Sequence, residues 1–330
     1  MTAESTRIFD AILWMLGGAP SRARLWTLAS PSFWTFSWAA FGLILGSFVN
    51  VLIHRLPLGL SIVQPGSRCP KCLSPIAWFD NIPVASFLLL RGRCRRCREP
   101  ISRRYPLVEL LVGALAAGLS LRWGQGTWTA FALAAAAALV AIAFIDWDST
   151  FIPDELSLGL IAAGLLAAPM NPILGYGRQI EFGRLIPAAC GAAAGYLGCL
   201  LVALIGERLF GKEAMGGGDL KLLGGVGAWT GALGALDCIF IAAFLGSAYG
   251  LGRILKRSAP RYRGRLEPLL ERIARRYGRP RTAARAALWR LQLLRGRIHR
   301  EPPIPFGPFL SAGALFNFFY LLPVGFPFNL

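Results

Sequence analysis

Two acidic clusters contain the side chains with the clearest chemical use. The first holds Asp146, Asp148 and Asp154, and the second holds Asp219 directly after three glycines. Both clusters border long apolar stretches, where ionisable residues are costly and usually serve a function. Two carboxylates brought together can share a proton, so that one activates water while the other protonates a peptide carbonyl oxygen. The clusters therefore predict the chemistry of an aspartic protease.

Other hydrolytic mechanisms have few candidate residues in this chain. The two histidines are His54 and His299, and both lie in basic surroundings. No serine or cysteine nucleophile with a neighbouring base is evident, so a Ser–His or Cys–His mechanism is poorly supported.

The residues around Asp219 and Asp146 leave alternatives open. The glycines before Asp219 would let the backbone bend tightly and admit a substrate strand, but they are also typical of a flexible turn capped by that aspartate. Asp154 follows Pro153 and is predicted to cap a helix over 155–170. Asp148 is predicted to be exposed, yet residue chemistry alone does not decide between it and Asp146.

Four cysteines form a second constellation with a definite chemistry. They lie in two CxxC pairs separated by twenty-one residues, within a basic hydrophilic loop. Two such pairs can place four thiolates at the corners of a tetrahedron, which suits structural Zn²⁺. Redox chemistry is the alternative, although it would need only one pair. The predicted zinc ligands are Cys69, Cys72, Cys94 and Cys97.

The composition indicates that these residues are positioned by membrane helices. Of 330 residues, 55% are hydrophobic and 16% are charged, against about 25% charged in soluble domains. The mean hydropathy is +0.52, which argues against a large soluble α/β enzyme. The sequence predicts an all-α polytopic membrane protein with about eight transmembrane helices and a cytoplasmic zinc-binding loop. The predicted spans are 33–54, 105–122, 127–145, 156–170, 185–206, 221–229, 231–252 and 308–329.

The distribution of positive charge predicts the orientation of these spans. The net charge is +18, and two segments hold most of it, with ten Lys and Arg residues in 55–104 and sixteen in 253–300. Basic loops between apolar spans lie on the cytoplasmic side. Counting the crossings then puts Asp146 and Asp219 on the same cytoplasmic face. For segment 253–300 to be cytoplasmic as well, residues 221–252 must enter and leave the membrane, which predicts a bend at 228–231.

The basic segment 253–300 also contains regularly spaced leucines. Its leucines recur at helical spacing, which favours amphipathic helices bound to the lipids of the cytoplasmic leaflet. A solvated basic loop that only determines topology is the alternative. Nucleic acid is not an expected partner, because no pattern of stacking aromatics accompanies the charge. Residues 1–32 are interpreted as a further amphipathic segment at the membrane surface.

The motifs together resemble the type IV prepilin peptidase family, the prepilin leader peptidase/N-methyltransferases. In that family the first catalytic aspartate lies seven residues before the Pro of an Ile-Pro motif, which implies Asp146 here. The second is the aspartate of Gly-x-Gly-Asp, which implies Asp219. The neighbouring Pro153, Gly216, Gly218 and Lys221 are predicted to support the active site. The other matching stretches are 46–57, the cysteine loop 69–97, 101–109 and 304–309.

The resemblance also implies an activity and a location. It implies an enzyme of the bacterial inner membrane that cleaves the leaders of type IV prepilins or pseudopilins at the cytoplasmic face. It further implies methylation of the new N-terminus with S-adenosylmethionine. No glycine-rich methyl-donor fingerprint is visible, so the residues that bind this cofactor stay unassigned.

The alternative function is that of a membrane transporter that uses the same carboxylates, or of a non-enzymatic assembly scaffold.

The sequence divides the chain into six predicted segments. One of them, the basic insert, is longer than the connection usual in the family. The segments are the amphipathic N-terminus 1–32, the first span 33–54, the zinc loop 55–104, the peptidase core 105–252, the basic insert 253–303 and the last span 304–330.

Overall fold

The structure is a computed structural model that describes residues 31–175, 181–211, 215–256 and 305–320. Its regular structure within these residues is helical, apart from two isolated antiparallel bridges in the cysteine loop. Short 3₁₀ turns join some of the α-helices. The α-helices are α1 (Pro31–Arg55), α2 (Ala85–Leu89), α3 (Arg104–Trp123), α4 (Thr127–Ser149), α5 (Asp154–Ala167), α6 (Leu185–Phe210), α7 (Gly217–Lys256) and α8 (Gly307–Tyr320).

Five of these helices are long and apolar enough to cross a membrane, namely α1, α3, α4, α6 and α7. The predicted all-α, multi-pass membrane architecture is thereby confirmed. Helix α5 has 14 residues and is too short to count among the five. Helix α8 also has 14 residues where the structure describes it, so the predicted number of eight spans is not confirmed.

Helix α7 contains the bend that the sequence predicts. Gly231 has φ 74° and ψ −179° inside an otherwise continuous 40-residue helix. Glycine adopts a positive φ without the steric cost that a Cβ would impose. The two predicted spans 221–229 and 231–252 are therefore the two arms of one bent helix.

The core is centred on α4, whose inward side chains are almost fully buried. Helix α4 packs against α1, α3 and α8, whereas α7 packs against α5, α6 and α8. Helices α6 and α7 touch backbone to backbone, because a Cβ at Gly227 would lie 2.0 Å from the carbonyl oxygen of Gly191. Small residues at such contacts allow membrane helices to approach closely. This packing holds the N-terminal arm of α7 against its neighbours.

Two predicted segments lie mainly outside the described residues. The amphipathic N-terminal segment falls there except for residues 31 and 32, which begin α1. The basic insert falls there except for residues 253–256, which end α7. The end of the last predicted span, beyond residue 320, is outside as well.

Candidate active site and metal centre

The first predicted catalytic aspartate is buried where α4 meets the start of α8. Asp146 lies three residues before Ser149, the last residue of α4, and is 5% exposed. The backbone N–H of Gly307 donates a 2.8 Å hydrogen bond to Oδ2 of Asp146. Gly307 is the first residue of α8, and the N-terminus of a helix favours a neighbouring negative charge. The last described helix therefore holds the carboxylate of Asp146.

Gly307 is a site residue that the sequence did not predict. A Cβ at this position would lie 2.8 Å from Oδ2 of Asp146 and 3.1 Å from its Cβ. Any side chain would therefore push the aspartate away. The motif around Gly307 was interpreted only as the start of the last helix, since nothing local links it to a residue 161 positions earlier.

The second predicted catalytic aspartate occupies the first turn of α7. The N–H of Gly216 donates to Oδ2 of Asp219 at 3.3 Å, and the N–H of Asp219 donates to the carbonyl of Gly216 at 3.1 Å. Gly218 allows close contact with the segment that follows Asp146, because a Cβ at Gly218 would lie 2.8 Å from the Cβ of Ile152. Both glycines therefore lie beside Asp219, and Gly218 also lies against the segment that follows Asp146.

Asp146 and Asp219 come from different helices whose ends meet. A Cβ at Gly218, next to Asp219, would lie only 2.8 Å from the Cβ of Ile152, which follows Asp146 by six residues. Both side chains sit at the same end of the bundle, one at the end of α4 and the other at the start of α7. The structure thus brings together the two carboxylates that the sequence paired.

Asp148, the alternative candidate for the first catalytic aspartate, has a different partner. Its side chain is exposed and forms an ion pair with Arg104. Arg104 also donates a 3.1 Å hydrogen bond to the carbonyl of Phe144. Asp148 thus ties the end of α4 to the start of α3, and the buried Asp146 is the one beside Asp219.

The predicted helix cap at Asp154 is wrong. Helix α5 begins at Asp154 itself, Pro153 occupies the cap position, and no side chain caps the helix. The carboxylate of Asp154 instead accepts a 2.8 Å bond from Nζ of Lys221. A positive charge on a neighbouring helix outcompetes the local backbone amides for this carboxylate. Lys221 therefore joins the first turns of α5 and α7.

The four predicted zinc ligands converge in the loop between α1 and α3. Their Sγ atoms all lie within 4.8 Å of one another. The Sγ atoms of Cys69 and Cys97 are 3.8 Å apart, and those of Cys72 and Cys94 are 4.0 Å apart. Zn–S bonds of about 2.3 Å in a tetrahedron require sulfur separations of about 3.8 Å. The donor set and its dimensions fit a zinc ion.

The two CxxC turns have nearly the same backbone geometry. The N–H of Cys69 donates to Ser74 at 3.0 Å, and the N–H of Cys94 donates to Glu99 at 2.9 Å. The residue after each second cysteine has a positive φ, 57° at Leu73 and 58° at Arg98. The sequence carries this repeat as Arg-Cys-x-x-Cys-x-x-Pro-Ile, at 68–76 and again 25 residues later at 93–101.

Hydrogen bonds lower the pKa values of two side chains in the loop. Two hydrogen bonds with Ser74, the larger effect from its side chain and the smaller from its backbone, lower the pKa of Cys72 to about 6. Thiolate is the form of cysteine that binds a metal. Arg95 donates two hydrogen bonds of 2.7 and 2.6 Å to Asp80 and lowers the pKa of that carboxyl.

Two family models match adjoining parts of the chain. The bacterial peptidase A24 N-terminal domain matches residues 40–123, which include the four cysteines, and the type IV leader peptidase family matches residues 133–251, which include both aspartates.

Similar curated proteins carry the name prepilin leader peptidase/N-methyltransferase. The protein from Burkholderia pseudomallei (strain K96243) is 35% identical over 307 residues, covering 86% of this chain and 84% of that protein. The protein from Aeromonas hydrophila is 34% identical over 295 residues, covering 82% and 85%. The one from Klebsiella pneumoniae is 43% identical over 206 residues, covering 59% and 86%. No solved structure matches the chain.

Proposed function

The chain belongs to the type IV leader peptidase family, and we propose that it removes leader peptides from type IV prepilins or pseudopilins and methylates the new N-terminus. The names of its relatives support both activities. The observation that carries the peptidase assignment is that Asp146 and Asp219 lie at the ends of two separate helices that meet where Gly218 packs against Ile152. Their pairing supplies the two acid–base groups that peptide hydrolysis needs.

The aspartate pair would work by moving protons at the scissile bond. One carboxylate removes a proton from water while the water oxygen bonds to the peptide carbonyl carbon. The other carboxyl donates its proton to the carbonyl oxygen, which gives a tetrahedral diol. The carboxyl that now holds the shared proton then protonates the amide nitrogen, while a hydroxyl of the diol gives its proton to the other carboxylate, and the C–N bond breaks. Both products leave, and the pair again shares one proton.

Gly307 supports this chemistry by orienting one member of the pair. Its N–H fixes Oδ2 of Asp146 at 2.8 Å, which leaves Oδ1 as the oxygen for proton transfer. A preorganised hydrogen bond of this kind avoids reorganisation during the reaction. Gly307 is thus a positioning residue, whereas the two aspartates are the catalytic residues.

The active site would face the cytoplasm at the inner membrane. The ion pair between Arg104 and Asp148 joins the end of the basic loop 55–104 to the end of α4 that bears Asp146. Loops rich in Lys and Arg stay on the cytoplasmic side. The same argument makes 55–104 a cytoplasmic domain and 105–252 the membrane-embedded peptidase core.

The metal and the methyl donor would have separate roles. Cys69, Cys72, Cys94 and Cys97 would hold zinc, which would stabilise the fold of the loop as structural zinc sites do. S-adenosylmethionine would supply the methyl group, as the N-methyltransferase names of the relatives indicate. No residue of the chain is assigned to it.

Mass spectrometry of the product N-terminus tests this function directly. Purified full-length protein in detergent, with a synthetic prepilin and S-adenosylmethionine, should release a shortened pilin that carries the mass of one methyl group. Asp146→Asn and Asp219→Asn should each slow cleavage by at least about 10²–10⁴-fold. Asp148→Asn is the matched control and should cleave normally. Normal cleavage by either catalytic variant would contradict the proposal.

A further inference from the structure

The cysteine loop presents an exposed apolar face outside the spanning helices. Trp78, Leu88 and Leu89 are 81%, 67% and 80% exposed. They lie on a 3₁₀ turn, Trp78–Asn81, and on the short helix α2. Large apolar side chains clustered at a protein surface mark a binding face. We call these three side chains the apolar face.

The apolar face belongs to residues 78–89, which are held together by hydrogen bonds and are called the unit below. The hydroxyl of Ser86 donates to the carbonyl of Phe79 at 2.9 Å and accepts from the N–H of Ile82 at 3.0 Å. Ser86 is itself buried, at 6% exposure. These bonds hold the 3₁₀ turn against α2, so Trp78 and the two leucines move as one body.

The depth of this unit follows from its contact with α3. The N–H of Val84 donates a 2.7 Å hydrogen bond to Oε2 of Glu109. Glu109 lies five residues after Arg104, the first residue of the spanning helix, which corresponds to about 7 Å along the axis. Helix side chains tilt toward the N-terminus, so Val84 lies somewhat nearer the helix start than Glu109. Val84, which directly precedes α2, thus lies within about 7 Å of the start of α3 along the helix axis, at the depth where a leaflet begins.

Positive charge borders the apolar face on one side. Five arginines lie in the stretch 91–98 that follows α2. Arg95 is held toward the unit by its two bonds to Asp80. Apolar side chains beside Arg and Lys are the composition of segments that lie in the plane of an anionic membrane surface. The charge complements phospholipid headgroups.

We propose that the apolar face is inserted into the headgroup–acyl boundary of the leaflet at which α1 ends and α3 begins, so that phospholipid covers it. Interfacial segments bury their apolar side about 5–10 Å into that boundary, which matches the depth given by Glu109. Trp78 is well suited to this layer, because its indole ring is largely apolar and carries one polar N–H group. The cysteine loop would then be fastened to the membrane as well as to the helices.

Photo-crosslinking of the full-length protein in proteoliposomes tests this placement. The photoreactive residue p-benzoylphenylalanine replaces Leu89, Leu88 or Trp78, one position at a time. The vesicles contain phosphatidylethanolamine and phosphatidylglycerol. After irradiation, each of these variants should gain the mass of one phospholipid. Because three positions are tested separately, misfolding of one variant does not remove the test.

Two controls calibrate the experiment. The same substitution at Phe244, which is 75% exposed on the membrane-spanning α7, should give the lipid adduct. Substitution at Trp229, which is 1% exposed inside the helix bundle, should give no lipid adduct. A lipid adduct at Phe244 but at none of the three positions would overturn the proposal. Crosslinking of the apolar face to an added prepilin in place of lipid would also overturn it and identify a peptide-docking surface.

Discussion

The backbone N–H of Gly307 and the side chain of Asp146 lie 2.8 Å apart, although 161 residues separate them in the chain. This bond joins the start of α8 to the end of α4 at the candidate active site. It makes the geometry of the carboxylate dependent on how α8 packs. Substitutions in α8 are therefore expected to affect catalysis as well as stability.

Replacing Gly307 should test this dependence most directly. In Gly307→Ala, the new Cβ would lie 2.8 Å from Oδ2 of Asp146, so the carboxylate must shift. A displacement of about 1 Å at a reacting group can cost roughly 100-fold in rate. We expect a loss of that order in kcat/KM for prepilin cleavage, measured with a synthetic substrate.

Gly246→Ala is the matched control for that variant. A Cβ at Gly246 would make ordinary contacts of 3.5 and 3.6 Å with Phe309 and Phe306, close to the same helix start. Its cleavage rate should stay near that of the wild type. If Gly307→Ala were equally active, Gly307 would have no positioning role.

Loss of one thiolate should remove the metal without dismantling the membrane core. Cys94→Ser leaves three of the four ligands, and we expect its zinc content, measured by atomic absorption, to fall well below one per chain. The loop should then become sensitive to limited proteolysis, because metal binding stabilises such sites. Cys190→Ser changes an exposed cysteine of α6 that is outside the cluster and should keep its zinc. Equal zinc in both variants would refute the four-cysteine site.

The contact between α6 and α7 should tolerate no side chain. In Gly227→Ala, the Cβ would lie 2.0 Å from the carbonyl oxygen of Gly191, and a backbone atom cannot move aside as a flexible side chain can. We expect destabilisation of at least about 1–3 kcal/mol, seen as a lower thermal unfolding midpoint in detergent. Gly159→Ala, where a Cβ would meet nothing within 4 Å, should unfold like the wild type. An unchanged midpoint for Gly227→Ala would show that the helices are further apart.

The ion pair between Lys221 and Asp154 should contribute only modestly to stability. Its side chains are 33% and 50% exposed, and pairs with such access to water contribute about 0.2–1 kcal/mol. A double-mutant cycle with Lys221→Met and Asp154→Asn should give a coupling energy in that range. High salt should reduce the coupling. A coupling above about 3 kcal/mol would instead indicate a buried pair.

Much of the architecture was predictable because its signals are local. Apolar length predicted the spanning helices, and the bend in α7 followed from a glycine in an apolar run. The pairing of Asp146 with Asp219 came from counting crossings. The choice of Asp146 over Asp148 needed the family spacing, and the structure now gives a physical reason, since Arg104 engages Asp148 and Gly307 engages Asp146.

The predictions that failed or were missed depend on partners distant in the chain. The cap expected at Asp154 was wrong because Lys221, 67 residues later, attracts its carboxylate. Gly307 was missed for the same reason. Rules for caps and turns consider only a few neighbouring residues, so they cannot reveal a partner that arrives through helix packing.

The 25-residue repeat in the cysteine loop gives the candidate metal site internal symmetry. Each half contributes two thiolates, the same turn and the same bridge to a proline, Pro75 in one half and Pro100 in the other. Neither half alone completes a tetrahedral coordination sphere. Metal binding would therefore cross-link two equivalent turns, so the stability of each half depends on the other.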